Sequence, residues 1–125
     1  MRRNLIGAGL LVISSVVFVP HGKADPLPTE IGACSNTTIA EIGYRLGEPD
    51  TGSAISYANG GVQISYDTIP EIHHSKVGDT VTLCLVSLPE DCPPDDDRGK
   101  VYRATNLRTG ETWEAPDSQH SCGGA

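Results

Sequence analysis

Carboxylates are the densest chemistry-bearing side chains in this 125-residue sequence. Asp95, Asp96 and Asp97 are consecutive, and Glu90 and Asp91 lie just before them. Ca²⁺ prefers oxygen ligands of this kind, so the segment is a candidate cation site. Its spacing differs from an EF-hand loop, which places ligands at alternate positions around an internal glycine. The alternative, a solvated acidic turn stiffened by prolines, is the interpretation that we favour.

Histidine, serine and cysteine offer two further chemistries. Ser118 and His120 are two residues apart, and a serine activated by a histidine is the nucleophile of many hydrolases, but no nucleophile-elbow motif accompanies this pair. His120 and Cys122 would suit Zn²⁺, although a cysteine of an exported chain is more commonly in a disulfide. His73 and His74 are adjacent, and adjacent residues of an extended chain point to opposite sides, which disfavours one shared metal. We predict no catalytic residue, no metal and no cofactor, and keep a Ser118/His120 hydrolase as the alternative.

The four cysteines predict a disulfide framework. Their number is even, and they are Cys34, Cys84, Cys92 and Cys122. Two bridges are expected in an exported chain, with three possible connectivities. We predict a local Cys84–Cys92 bridge and a Cys34–Cys122 bridge that ties the two ends of the domain together. Because the chain has few large apolar side chains, these bridges should supply much of its stability.

Residues 1–24 have the features of a secretory signal peptide. Arg2 and Arg3 precede an uncharged apolar run over residues 5–19, and the segment ends in Gly-Lys-Ala. As a helix, that run would rise only about 22 Å, short of the ~30 Å hydrocarbon core of a bilayer. We predict that the leader is removed and that residues 25–125 form one small domain, periplasmic or secreted, without membrane insertion.

The charge of that domain restricts its partners. All sixteen acidic residues lie in it, and once Arg2, Arg3 and Lys23 are removed only six basic residues remain, a net charge of −10. Such a charge disfavours nucleic acids and anionic membrane surfaces. It permits a basic envelope or secreted protein as partner, and the oligomeric state stays open.

Two segments indicate strands. Thr80–Leu88 is rich in β-branched residues, with apolar side chains on both faces, as expected of a strand covered on both sides. Thr38–Leu46 fits either an alternating strand or a helix with a capping box. Gly43 in its middle weakens a helix, so a strand is favoured.

A first hairpin is predicted over residues 53–66. Asn59-Gly60 suits a two-residue type I′ turn, in which both residues need positive φ. This register gives three opposed pairs: Tyr57 with Val62, Ser56 with Gln63, and Ile55 with Ile64. The apolar pairs then share one face, and Gln63 lies on the other.

A second hairpin is predicted over residues 100–115, with a type I turn and a glycine bulge at Leu107–Gly110. Its register sets five pairs opposite each other: Asn106 with Glu111, Thr105 with Thr112, Ala104 with Trp113, Arg103 with Glu114, and Tyr102 with Ala115. The aromatic side chains could form an exposed recognition patch, but the two registers place Tyr57, Tyr102 and Trp113 on core faces.

These elements together predict an all-β domain, a small antiparallel barrel or sandwich built from hairpins and stapled by disulfides. Three segments of the chain resemble small exported bacterial proteins to which no activity is assigned: Cys92–Gly99, Thr105–Thr109 and His120–Ala125. The resemblance implies export and no particular function.

A second resemblance concerns periplasmic inhibitors of C-type lysozyme, which are also small, acidic, disulfide-bearing β-barrels. Tyr57–Gly60 and Trp113 are similar to features of that family. Its inhibitory Ser-Gly-Xaa-Xaa-Tyr loop is not matched, because Arg98–Tyr102 lacks the serine, and no residue role is carried over. We therefore expect a non-catalytic binding or inhibitor module, with a structural envelope protein as a further alternative.

Overall fold

Six antiparallel strands make up most of the structure, a computed structural model that describes residues 25–124. In chain order they are β1 (Cys34–Tyr44), β2 (Ser53–Tyr57), β3 (Val62–Ser65), β4 (Thr80–Ser87), β5 (Val101–Asn106) and β6 (Thr112–Pro116). They form one sheet in the order β3-β2-β1-β4-β5-β6. The all-β antiparallel prediction is confirmed. The predicted leader lies outside the described residues.

The sheet curls into a half-barrel at β1. This strand contains most of Thr38–Leu46, so the preference for a strand over a helix there is confirmed. As far as Thr38, β1 pairs with β4, and from Ile39 onwards it pairs with β2. An extra residue, Ala40, makes a β-bulge between Ile39 and Glu41. A bulge bends a strand and increases its twist, so the two halves of the sheet turn towards each other.

The core fills the inside of this curl. Its buried apolar side chains come from all the strands except β3, and from one helical turn: Ile39, Ile55, Tyr57, Ile72, Val81, Leu83, Leu85, Tyr102, Ala104 and Trp113. The outward side chains of β4, Thr82, Cys84 and Val86, are only half-buried. The prediction of a strand covered on both faces is therefore met on one face only, because a single curled sheet has no second layer outside it.

The first hairpin forms, but its predicted register is wrong by one residue. Ser56 pairs with Val62, Ile55 with Gln63, and Ala54 with Ile64. The turn has three residues, 58–60, closed by the Tyr57 N–H donating to the Gly61 carbonyl at 2.8 Å. Only Gly60 has positive φ in this turn, whereas a type I′ turn requires two such residues.

The second hairpin has the predicted register in all five pairs. Four of them, from Thr105–Thr112 to Tyr102–Ala115, lie in the β5–β6 ladder, and the fifth, Asn106–Glu111, lies next to the turn. Gly110 has a φ of 77°, and its N–H donates to the Asn106 carbonyl at 2.8 Å. Arg103 and Glu114 form the expected outward ion pair at 2.8 Å. Tyr102 and Trp113 are buried, as predicted.

Gln63 closes the half-barrel. The register shift turns its side chain inwards, where it is 1% exposed. Its amide nitrogen donates to the carbonyls of Tyr102 and Ala115 at 2.7 and 3.2 Å. Its amide oxygen accepts from the Tyr57 hydroxyl at 2.6 Å and the Trp113 indole at 2.9 Å. One side chain of β3 thus reaches β5 and β6 on the far side of the curl.

All four cysteines form disulfides, but the predicted pairing is wrong. The bridges are Cys34–Cys84 and Cys92–Cys122. Cys34 and Cys84 are directly opposite each other on β1 and β4, with Cα atoms 4.0 Å apart, so strand pairing decides their partnership. Two disulfides fit an oxidising, extracytoplasmic compartment. Within residues 25–124, no helix is long and apolar enough to cross a membrane.

The segment after β3, expected as a loop or a short edge, contains one helical turn, α1 (Pro70–His73). Proline suits the first turn of a helix, because its missing N–H would be unpaired there in any case. Ile72 is 1% exposed and anchors this turn in the core.

Candidate functional site

The predicted acidic loop and the C-terminal tail form one unit at the end of the sheet where β1 begins. Cys92–Cys122 links residues 88–100 to residues 117–124. The Asp117 carboxylate accepts from the N–H groups of Gly99 and Lys100 at 2.8 and 3.1 Å. We call this unit, residues 88–100 and 117–124, the acidic end.

Two of the three consecutive carboxylates hold the acidic end together. Asp96 accepts from the Arg98 guanidinium at 2.8 and 2.9 Å and from the Gly123 N–H at 3.0 Å. These bonds, chiefly those from Arg98, hold the pKa of Asp96 well below its usual range. Asp97 accepts from the Lys100 ammonium at 2.7 Å, which lowers the pKa of that carboxyl as well. Both groups are therefore engaged within the loop.

Glu90, Asp91 and Asp95 are the acidic side chains of the loop that face solvent without a salt bridge to a basic side chain of residues 25–124. Asp91 and Asp95 have φ values of 56° and 65°, a region that non-glycine residues seldom adopt. The adjacent prolines and the disulfide restrict the backbone further. The loop thus presents three carboxylates from a fixed conformation.

The cation hypothesis named Asp95, Asp96 and Asp97 as ligands, and the structure directs two of these groups to different internal partners. No cluster of three or more His, Cys, Asp or Glu side chains that could hold a metal ion occurs in the described part of the chain. A cation site on this loop stays a prediction from sequence.

The Ser118/His120 pair is not arranged as nucleophile and base. The Ser118 hydroxyl donates to the backbone carbonyl of His120 at 2.6 Å, which directs its proton to that oxygen. His120 is exposed on the tail. The hydrolase alternative therefore gains no support from this geometry.

The sequence did not indicate a different serine–histidine contact. Ser53 Oγ lies 2.9 Å from His73 Nε2 and accepts from the Ile69 N–H at 2.8 Å. The His73 ring stacks on Tyr44 with centroids 4.7 Å apart, and burial, then the neighbouring His74, lowers its pKa. A neutral ring can accept the serine proton, but Ser53 is 0% exposed and no substrate can reach it. The contact fastens α1 to the sheet.

The two adjacent histidines have separate surroundings. His74 Nδ1 lies 3.0 Å from a carboxylate oxygen of Glu111, at the far end of the second hairpin, while His73 faces β1 and β2. The two rings thus have different partners, although the residues lie in a helical turn and not in the extended chain that the prediction assumed.

Comparison with known proteins found no similarity that could assign this chain. No protein-family model, no curated protein and no solved structure matches it. The functional argument therefore rests on the molecule itself.

Proposed function

We propose that this protein is a non-catalytic binding module, periplasmic or secreted, that captures a basic envelope or secreted protein with its acidic end. The observation that carries the proposal is the fixed, outward presentation of Glu90, Asp91 and Asp95. A loop that is already ordered loses little conformational entropy on binding, which favours its use in recognition.

The charge balance supports a basic partner. Residues 25–124 carry sixteen acidic and six basic side chains, a net charge of −10. Four of the basic groups lie in salt bridges with acids of this chain: Arg98, Lys100, Arg103 and Arg108. Among the described residues, five acidic side chains have a salt bridge to Lys or Arg, Glu111 contacts His74, and ten have neither. A net negative field attracts basic proteins and accelerates their association.

The test uses the immobilised protein and two basic probes, C-type lysozyme and cytochrome c, at low and high salt. We expect lysozyme, taken as an example of a basic secreted protein, to be retained at low salt and released at high salt, because charge attraction between exposed groups is screened. Cytochrome c measures how much of that retention is due to positive charge alone. Absence of lysozyme retention at low salt would contradict the proposal.

A matched pair of triple variants locates the surface. E90Q/D91N/D95N removes three charges from the acidic end, and E48Q/D50N/D67N removes three from the loops that follow β1 and β3, outside the acidic end. Each set changes at least one residue with positive φ, namely Asp91 and Asp95 in the first set and Asp50 in the second, so the two sets are matched in this respect. We expect the first set to weaken lysozyme binding by about tenfold and the second by less than about threefold. Equal losses would show that net charge, rather than the acidic end, governs binding.

A further inference from the structure

We propose that the Cys34–Cys84 disulfide is a thiol–disulfide exchange site, open on the outer face of the sheet to attack by a dithiol reductant. Cys34 is exposed, while Cys84 is half-buried. A shallow cavity of about 290 Å³ lies over the bridge, lined by both cysteines, Ile31, Val86 and Arg103. A thiolate therefore has a path to the Cys34 sulfur.

The charge next to the bridge favours this attack. Arg103 on β5 is the direct cross-strand neighbour of Cys84, so both side chains leave the sheet on the same face. A guanidinium beside a disulfide attracts an incoming thiolate and stabilises the thiolate that leaves. Glu114 holds Arg103 in place at 2.8 Å and shares part of its charge.

The second bridge lies in a unit of net negative charge, because the acidic end carries six acidic side chains and only two basic ones, Arg98 and Lys100. Cys92 follows Glu90 and Asp91 directly and precedes the run of aspartates, in the acidic end. Carboxylates repel an attacking thiolate and oppose the formation of a second one. The two disulfides of this chain thus differ in their electrostatic surroundings, and we expect them to differ in reactivity.

The exchange proceeds in two displacement steps. One thiolate of the dithiol attacks Cys34 Sγ, a mixed disulfide forms, the Cys34–Cys84 bond breaks, and its electron pair leaves on Cys84 Sγ beside Arg103. The second thiolate of the dithiol then attacks the dithiol sulfur that is bonded to Cys34 Sγ. This bond breaks, and Cys34 is released as a thiolate. The dithiol is oxidised to a cyclic disulfide, the protein gains two electrons, and water supplies protons to the new thiols.

The experiment treats the folded, oxidised protein with limiting dithiothreitol, blocks thiols by alkylation at intervals, and reads each cysteine by peptide mass spectrometry. We expect Cys34 and Cys84 to become alkylated at least about tenfold faster than Cys92 and Cys122, with a smaller ratio at high salt. Global unfolding would expose both bridges together, so Cys92–Cys122 serves as the internal reference. Equal rates, or faster reduction of Cys92–Cys122, would overturn the proposal.

Variants of Arg103 test the electrostatic part. R103Q should slow reduction of Cys34–Cys84 by about threefold or more, while R103K, which keeps the charge, should restore most of the rate. In E114Q the Arg103 charge is no longer shared with Glu114, so Cys34–Cys84 should be reduced at least as fast as in the unmodified protein. An unchanged rate in R103Q would refute the role of Arg103, and the salt dependence of the unmodified protein tests the same point without any substitution.

Discussion

Gln63 uses all four of its side-chain hydrogen-bonding positions inside the core, two as donor and two as acceptor. Such a group costs little when it is fully paired, but each partner left unpaired in a buried site is unfavourable by about 1–3 kcal/mol. Tyr57 is part of the same cluster, and burial raises the pKa of its phenol well above the ordinary value. The cluster therefore stays neutral over the pH range in which proteins work.

We predict that Gln63→Ala lowers the free energy of unfolding by about 3 kcal/mol or more, because it leaves the Tyr57 hydroxyl and the Trp113 indole N–H without an acceptor and creates a cavity. Urea denaturation of the oxidised protein measures the change. Gln119→Ala is the control, since that side chain is exposed and contributes one hydrogen bond to Arg45, at 3.0 Å. A loss in Gln63→Ala no larger than that in Gln119→Ala would show that the closure by Gln63 contributes little.

Asp79 is a partly buried polar residue with several partners. Its carboxylate, 9% exposed, accepts from Arg108 Nε at 2.8 Å, Asn106 Nδ2 at 2.9 Å and the Lys76 N–H at 2.8 Å. These contacts, with Arg108 the largest, hold the pKa of Asp79 well below its ordinary range. The folded state therefore binds fewer protons at this group than the unfolded state does in mildly acidic solution.

The consequence is a loss of stability in acid. Above about pH 4 the contribution of Asp79 is complete, because the carboxyl is ionised even in the unfolded chain, and it decreases as the pH falls below that value. We predict that the unmodified protein loses more unfolding free energy between pH 7 and pH 3 than Asp79→Asn does. Asp67→Asn, an exposed change of equal charge, should keep the full loss. An equally steep loss in Asp79→Asn would contradict this assignment.

At the scale of elements, the turns decide the registers. The second hairpin could be predicted in full because its turn and its apolar alternation agree on one register. In the first hairpin they also agreed, on the wrong one. Asn59 instead accepts from the Gly61 N–H at 3.2 Å within the turn and donates to the Asp25 carbonyl at 2.9 Å. The second of these contacts joins the N-terminal segment, which local pattern does not reveal.

The Ser53–His73 contact and the disulfide pairing were out of reach for a related reason. Both depend on which strands become neighbours, and chain order alone leaves that open. By contrast, the four bridged cysteines, the two hairpins and the position of the acidic loop follow from local signals. Within the candidate site, sequence located the acids but could not show that Asp96 and Asp97 face Arg98 and Lys100.

Two glycines of neighbouring elements give a matched prediction. Gly52, just before β2, has a φ of 110°, and a Cβ there would overlap the Ser65 carbonyl oxygen. Gly43 in β1 would place a Cβ in open space. We predict that Gly52→Ala lowers the unfolding free energy by about 3 kcal/mol or more, while Gly43→Ala changes it by less than about 1 kcal/mol. Thermal denaturation compares the two, and similar melting temperatures would contradict the prediction.

At the scale of the whole molecule, the two disulfides stabilise different parts of the chain. Cys34–Cys84 spans 50 residues and fixes the centre of the sheet, whereas Cys92–Cys122 spans 30 residues and fastens a loop to the tail. In the chain-entropy model, loops of these lengths correspond to about 4 kcal/mol each. Cys92–Cys122 joins a loop to the tail and not two core strands. Its removal should therefore loosen mainly these two segments and lower the free energy of global unfolding by less than the model gives.

We therefore predict that Cys34→Ala/Cys84→Ala lowers the unfolding free energy by about 4 kcal/mol and Cys92→Ala/Cys122→Ala by about 2 kcal/mol. Mass spectrometry should find no alkylatable thiol in the oxidised protein and four after reduction. The order of the two losses is the decisive observation. Four reactive thiols without reduction would exclude the disulfide framework altogether.

The hydrogen bonds of Gln63 across the curl also determine how far the edges of this sheet are accessible to other chains. β3 and β6 are its two outer strands, and across the curl their Cα atoms come within 8 Å of each other. An outer strand with unpaired backbone groups is a template for strand addition and aggregation, and here each is partly shielded by the other. If the Gln63 contacts were lost, both would open at once. The expected failure of this protein is therefore association through β3 and β6, into strand-exchanged dimers or fibrils, before the rest of the fold is lost.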